Sequence, residues 1–149
     1  MVHKPSEIRS VILAEHAVLR SRLDEIEAAL ERSAADGTSR RSLPGQLTRF
    51  CEEFLRHIEH EETILMPVLA DIDNWGPIRI EQMDAEHAGQ RRTMDELSRR
   101  SPDPDFAGYA ATVRAFVREI RADMESEERE CLSRDVLRDD TTNIDAFGG

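Results

Sequence analysis

Apolar residues recur along most of the chain at spacings of three and four, the period of one face of an α-helix. Clusters of Gly, Pro, Asp and Ser at 33–45, 71–77 and 101–105 divide this pattern into four long segments. In chain order, the four stripes consist of Ile8, Ile12, His16, Leu19, Leu23, Ile26 and Leu30; Leu47, Phe50, Phe54, His57, Glu61, Ile64 and Val68; Ile80, Met83, His87, Met94 and Leu97; and Phe106, Tyr109, Val113, Phe116, Ile120, Asp123, Glu127 and Cys131. Short connections between four such helices predict an all-α, antiparallel up-and-down four-helix bundle.

The length of 149 residues predicts one domain, 1–149, with its helical core at about 6–132. Ser6 is the predicted cap of the first helix, because a serine oxygen can accept a hydrogen bond from a free backbone N–H. Pro67 is expected to kink or end the second helix. The tail at 133–149 forms either a short further helix or a frayed end.

Six polar residues interrupt the stripes at positions that should face the core, and all six have side chains that bind metals: His16, His57, Glu61, His87, Asp123 and Glu127. Residues four apart on a helix point in nearly the same direction, so the second and fourth helices each present a pair of them. A buried carboxylate without a partner is very costly, and the same stripes offer few cations. One or two metal ions in the core would supply the missing positive charge, and mixed imidazole and carboxylate ligands suit iron, manganese or zinc.

An internal repeat relates the two halves of the chain. AEHAVLR at 14–20 returns as AEHAGQR at 85–91, and FLRHIEHEE aligns with EIRADMESEE in the fourth segment. His16 and His87 are 71 positions apart, and His57 and Asp123 are 66 apart, so helices one and two correspond to helices three and four. Two similar halves, each contributing one metal and one bridging carboxylate, predict a two-metal centre.

These motifs resemble the hemerythrin-like family of HHE cation-binding domains over roughly residues 6–132: the histidine of LAEHAVLR, the HxxxE of HIEHE, the histidine of MDAEHAGQR and the paired acids of the last helix. The resemblance implies a centre of two iron ions, with iron preferred over zinc or manganese. It also implies that His16 and His57 ligate one iron and His87 the other, while Glu61 and Glu127 bridge the two.

The sequence departs from the family pattern at two positions. Asp123 stands where the family's histidine is expected, and a carboxylate there should favour ferric iron. Asp123 either ligates metal or pairs with an arginine, and in the second case one metal would be bound. Arg91 stands four residues after His87, where oxygen-carrying hemerythrins place another histidine, which argues against reversible oxygen transport.

Four residues near the predicted ligands are assigned less directly. His60 is expected on a solvated helix face. Glu62 and Glu128 point about 100° away from the ligands that precede them, so each is either a surface residue or a hydrogen-bond acceptor behind the site. Arg91 is either exposed or paired with a spare carboxylate.

Composition and charge exclude several classes of protein. The net charge of −11 argues against binding to nucleic acid or to an anionic membrane. The first residues lack a basic segment followed by an apolar one, and no stretch is apolar enough to span a membrane, so we expect a cytoplasmic protein. Cys51 and Cys131 lack metal-binding spacing and are expected to be reduced, structural thiols.

Three functions follow from these observations. The preferred one is a non-heme diiron protein that binds or reduces oxygen, hydrogen peroxide or nitric oxide. Such a protein would act in oxidative stress. If it is an enzyme, it would reduce peroxide or nitric oxide. The second is a module that binds or senses iron or redox state without turnover. The third is a helical interaction protein whose metal site has degenerated.

Overall fold

The structure is a computed structural model that describes residues 3–37 and 39–140. Its helices are α1 (Pro5–Ala35), α2 (Leu43–His60), α3 (Met66–Ile72), α4 (Gly76–Ser98) and α5 (Phe106–Glu130), with a 3₁₀ turn at Ser39–Arg41 and a π-helical turn at Glu61–Leu65. Because α2, the π turn and α3 follow one another without a break, they correspond to the second predicted segment. The all-helical prediction with four long segments is confirmed, and none of the described residues forms a strand. The antiparallel up-and-down order of the helices stays a prediction.

The first helix begins one residue before the predicted cap. Pro5 occupies its first position, where its fixed φ suits the helix, and the Lys4 backbone N–H donates to Glu7 Oε2 at 3.1 Å. The Ser6 hydroxyl instead donates to Asp139 Oδ2 at 2.7 Å. The prediction that Ser6 caps α1 is therefore wrong, because the proline and the glutamate already define the start of the helix.

The second long segment changes its hydrogen-bond pattern just before Pro67. The Met66 N–H donates to the carbonyl of Glu61, five residues back, so one extra residue is inserted into the turn. Pro67 has no N–H to donate, and its ring crowds the carbonyl four residues earlier, which accounts for the disturbance. The helix continues as α3 beyond the proline, and Glu61 lies at the first position of the π turn.

The buried apolar residues form two clusters with a polar layer between them. In α1, for example, Ile12 belongs to the smaller cluster and Leu19 to the larger one. Each long segment passes from one cluster to the other, and the buried residues nearest these four crossings are His16, Glu61, His87 and Glu127. The fold thus brings metal-binding side chains into a layer that apolar residues cover on both sides.

A close backbone contact joins α3 to α4. A Cβ on Gly76 would overlap the carbonyl oxygen of Leu69, so only glycine fits at the start of α4. Residues 131–140 form turns, in which the N–H of Leu137 donates to the carbonyl of Ser133 at 2.9 Å. The remainder of the predicted tail, 141–149, lies outside the described residues. Within the described part of the chain, no helix has the length and apolar character needed to cross a membrane.

Candidate metal centre

Four of the predicted ligands converge in the polar layer: His16 of α1, His57 of α2, Glu61 of the π turn and Glu127 of α5. One nitrogen or oxygen atom from each lies within 4.8 Å of the others. His16 Nε2 is 3.2 Å from Glu127 Oε1, and His57 Nε2 contacts Glu61 Oε1. The two histidine rings are adjacent, with their centroids 4.9 Å apart.

Three atoms of this cluster are buried and accept or donate no hydrogen bond among the described residues: His16 Nε2, Glu61 Oε2 and Glu127 Oε1. Leaving such atoms unsatisfied costs about 1–3 kcal/mol each, and more when the group is charged. A cation at the centre of the cluster would bind all three, and two imidazoles with two carboxylates are a donor set that suits iron, manganese or zinc. The residues present therefore fit a metal ion.

The metal-free cluster holds two protons that a metal would displace. Burial raises the pKa of Glu127 well above its usual range, and the neighbouring Glu61 carboxylate raises it further. Burial also opposes the charge of Glu61, yet the neighbouring His57 and His87 side chains keep its pKa low. The pKa of His57 rises to about 9, because hydrogen bonds to Glu15 and Glu61 outweigh the effect of burial.

The two remaining predicted ligands, His87 and Asp123, lie outside the four-residue cluster. His87 Nε2 is 3.7 Å from Glu61 Oε2, so this glutamate has a histidine at each of its oxygens. The bridging role that the resemblance implies for Glu61 stays a prediction. Asp123 is not part of the four-residue cluster; its Oδ2 accepts a hydrogen bond from Gln90 Nε2 at 2.9 Å.

Comparison with known families identifies the fold. The model of the hemerythrin HHE cation-binding domain matches residues 7–134. The chain belongs to this family. Searches among curated proteins and among solved structures found no match. The resemblance predicted from the motifs is confirmed, and the HHE domain together with its buried His/Glu cluster indicates a metal-binding module.

In this HHE domain a carboxylate stands behind His16. Nδ1 of His16 donates to Glu128 Oε2 at 2.8 Å, since an ionised carboxylate can only accept. Arg20 donates to both oxygens of Glu128, at 2.8 and 2.9 Å. Because Nδ1 carries the hydrogen, the lone pair of Nε2 is left to face the cluster, as in many protein metal sites.

His87 has the same arrangement in the other half. Its Nδ1 donates to Glu62 Oε1 at 3.1 Å, and Arg91 donates to the two oxygens of Glu62 at 2.8 and 3.2 Å. Of the roles that the sequence leaves open, Glu62 and Glu128 are hydrogen-bond acceptors behind the site, and Arg91 is paired with a carboxylate. The histidine and the arginine of each repeated motif hold the second glutamate of the EE pair in the opposite half.

The third histidine of the HHE domain, His57, has a carboxylate that it shares with a further histidine. Its Nδ1 donates to Glu15 Oε1 at 2.8 Å, while Nδ1 of His60 lies 2.6 Å from Glu15 Oε2. The His60 side chain is 34% exposed, so it lies partly on the solvated face expected for it and also contacts Glu15. Glu15 therefore links the surface to a buried ligand.

The sequence does not single out three residues that the structure places at this site: Glu15, Glu86 and Gln90. The first two precede the repeated histidines, so the repeat itself contains the signal for them. Glu86 is half-buried, and burial together with the charge of Asp123 raises its pKa to about 6. Gln90 is only 4% exposed. The feature that could have identified it is its position as a polar residue in the apolar stripe of the third segment.

Proposed function

We propose that the protein is a non-heme diiron protein that binds or reduces a small oxidant, namely oxygen, hydrogen peroxide or nitric oxide. The observation that supports this function best is the set of three buried, unpartnered ligand atoms on His16, Glu61 and Glu127. Iron bound there would supply electrons and an open coordination position for the oxidant. The family and the donor set support iron over the other metals.

The protein's own residues contribute orientation and shielding. Glu128 and Glu62 fix which nitrogen of His16 and His87 faces the centre, through hydrogen bonds of 2.8 and 3.1 Å. Glu61, which is 2% exposed, contacts histidines of both halves. The two apolar clusters on either side of the layer keep water away from the ligands, which strengthens their interaction with charge.

A cleft between α1 and α2 supports access by a small molecule. It has a volume of about 560 Å³, and its lining includes Val18, Leu19, Glu15 and His57. His57 is otherwise buried, so the cleft reaches one of the proposed ligands from solvent. A neutral diatomic oxidant or peroxide would meet a largely apolar entrance there.

The test is the reaction of the iron-loaded protein with an oxidant. Metal-free protein is loaded anaerobically with Fe²⁺, desalted, analysed for iron, and mixed with oxygen, peroxide or nitric oxide in a stopped-flow spectrometer. We expect about two irons per chain and a reaction that Glu61→Gln abolishes, because this residue contacts both histidine sets. Glu59→Gln, on the exposed face of the same helix, is the matched control and should behave as wild type.

Two outcomes would contradict the proposal. In one, the loaded wild type reacts with none of the oxidants faster than Glu61→Gln does. In the other, the protein retains no iron after desalting although circular dichroism shows it to be folded.

Iron sensing without turnover is the second candidate, and it is favoured because the ligands come from different helices. The cluster and His87 together draw on all four long helical segments, so a bound metal would hold the segments to one another. Binding that is specific to the folded state stabilises that state. A large rise in melting temperature on iron binding, without consumption of oxidant, would select this function.

A further inference from the structure

The cleft between α1 and α2 is much larger than an oxidant of a few atoms requires. Its volume is about 560 Å³. A water molecule, which is similar in size to such an oxidant, occupies about 30 Å³ of the liquid. Sites of roughly 300–1,000 Å³ in proteins usually hold organic molecules. The volume of this cleft therefore suits an organic ligand.

The α1 side of the cleft is apolar. Ala14, Val18 and Leu19 line it, and Leu19 also belongs to the larger buried cluster of the core. Val18 is 54% exposed, which is unusual for a side chain that has no polar atom. Covering apolar surface of this kind is favourable roughly in proportion to the area removed from water. The α1 side would therefore hold the hydrocarbon part of a ligand.

The two acids that line the cleft, Glu15 and Glu53, already have partners. Nδ1 of His57 is 2.8 Å from one oxygen of Glu15, and Nδ1 of His60 is 2.6 Å from the other. Arg22 donates to Glu53 Oε2 at 3.3 Å. Because these contacts occupy both carboxylates, the acids of the lining offer little to the head group of a cationic ligand.

Arg56 is the charged residue of the lining whose pairing is incomplete. Its side chain is exposed on α2, and none of the described residues forms a hydrogen bond or an ion pair with it. A guanidinium group has five N–H donors and pairs well with the two oxygens of a carboxylate. The charge that the cleft leaves uncompensated at its rim is therefore positive, and it complements an anionic head group.

We infer that the cleft between α1 and α2 is a binding site for an amphipathic organic carboxylate. The hydrocarbon chain lies against Ala14, Val18 and Leu19, and the carboxylate pairs with Arg56. This site goes beyond the proposed function, because it needs neither iron nor an oxidant. Since His57 also lines the cleft, a bound carboxylate would cover the side of this histidine that solvent can reach.

The experiment is isothermal titration calorimetry of the full-length, metal-free protein at neutral pH with decanoate, decylammonium and acetate. We expect about one decanoate per chain with a Kd below about 1 mM, and no measurable binding of acetate, which lacks the chain. Decylammonium has the same chain and the opposite charge, and it should bind at least about fivefold more weakly. The net charge of −11 would by itself favour decylammonium, so a preference for decanoate reports the local site.

Two pairs of variants locate the ligand. Val18→Ser should weaken decanoate binding about fivefold, because it removes apolar contact area. Its control is Val11→Ser, since Val11 is also exposed on α1 but does not line the cleft. Arg56→Gln should weaken decanoate about three- to fivefold, the contribution of an exposed ion pair. Its control is Arg49→Gln, which removes an exposed charge of α2 outside the lining. Each control should change the affinity less than about twofold.

Three results would overturn this inference. Decylammonium binds as tightly as decanoate, or each variant binds decanoate as its control does. In the third, decanoate does not bind below about 1 mM although circular dichroism shows the protein to be folded. All three leave the oxidant reaction of the iron-loaded protein untouched. Selective decanoate binding by a protein whose iron form ignores oxidants would support the cleft and refute the proposed function.

Discussion

Substitution of Arg20 by alanine should weaken metal binding although the arginine does not reach the metal cluster. Arg20 donates two short hydrogen bonds to Glu128, which in turn accepts from Nδ1 of His16. Both side chains of the Arg20–Glu128 pair are partly exposed, at 36% and 25%, so the pair itself should contribute no more than about 1 kcal/mol to folding. Loss of such a group behind a metal ligand typically reduces affinity 10- to 100-fold, or about 1.4–2.7 kcal/mol.

The assay is competition for Co²⁺ or Zn²⁺ between the protein and a chelator of known affinity, with urea unfolding measured on the same samples. Arg121→Ala is the matched control, because Arg121 also donates to two carboxylates, Asp24 and Glu27, at 2.6 and 3.3 Å. Among the described residues, neither acid forms a hydrogen bond or ion pair with His16, His57 or His87. We expect Arg20→Ala to lose metal affinity and Arg121→Ala to retain it, with similar small losses of unfolding free energy in both.

Two results would refute this reasoning. If the two variants bind metal equally well, Glu128 does not need its arginine to orient His16. If Arg20→Ala loses several kcal/mol of unfolding free energy, the change in affinity would reflect the fold and not the ligand. Arg20→Lys offers a further check, since a single ammonium cannot reproduce the two-point contact and should fall between the wild type and the alanine variant.

Three further predictions concern stability. Iron at about 100 times its dissociation constant should raise the free energy of unfolding by about 2.7 kcal/mol and the melting temperature by about 5–11 °C, and a chelator should reverse both. In metal-free protein the pKa of His57 is raised from 6.5 to about 9, so its contribution to stability should be complete below pH 6.5 and lost as the pH rises through 9. Urea unfolding at several pH values measures this loss, which should be smaller in His57→Gln. Gly76→Ala should cost about 1–3 kcal/mol in the same assay because its Cβ meets the Leu69 carbonyl. Gly45→Ala, whose Cβ would have open space, should be neutral or stabilising.

The helical architecture could be predicted from the sequence because each segment repeats the same local signal over many residues. The apolar stripes give the long helices, and the turn clusters separate them at the right places. The π turn at Glu61–Leu65 could not be predicted in the same way. A proline signals that a helix will be disturbed, but whether it kinks, ends or gains a residue depends on the packing of Leu65 and Met66 in the smaller cluster.

The inner ligands of the candidate site could be predicted for a similar reason, because a histidine or an acid on an apolar stripe is conspicuous. The acids that accept hydrogen bonds from the ligand histidines were harder to predict. Glu15 and Glu128 lie off the stripes and look like ordinary surface acids, yet each accepts a hydrogen bond from a ligand histidine at 2.8 Å. Which acid meets which histidine depends on how the helices are rotated against one another, and periodicity alone does not determine that rotation.

Hydrogen bonds between the two halves explain why the repeated motif contains an arginine as well as a histidine. His16 and Arg20 come from the first half and hold Glu128 of the second. His87 and Arg91 come from the second half and hold Glu62 of the first. The histidine of each repeated motif is therefore oriented by a glutamate of the other half, whereas His57 is held by Glu15 of its own half. A centre built in this way forms only when all four long segments have assembled, which joins metal binding to completion of the fold.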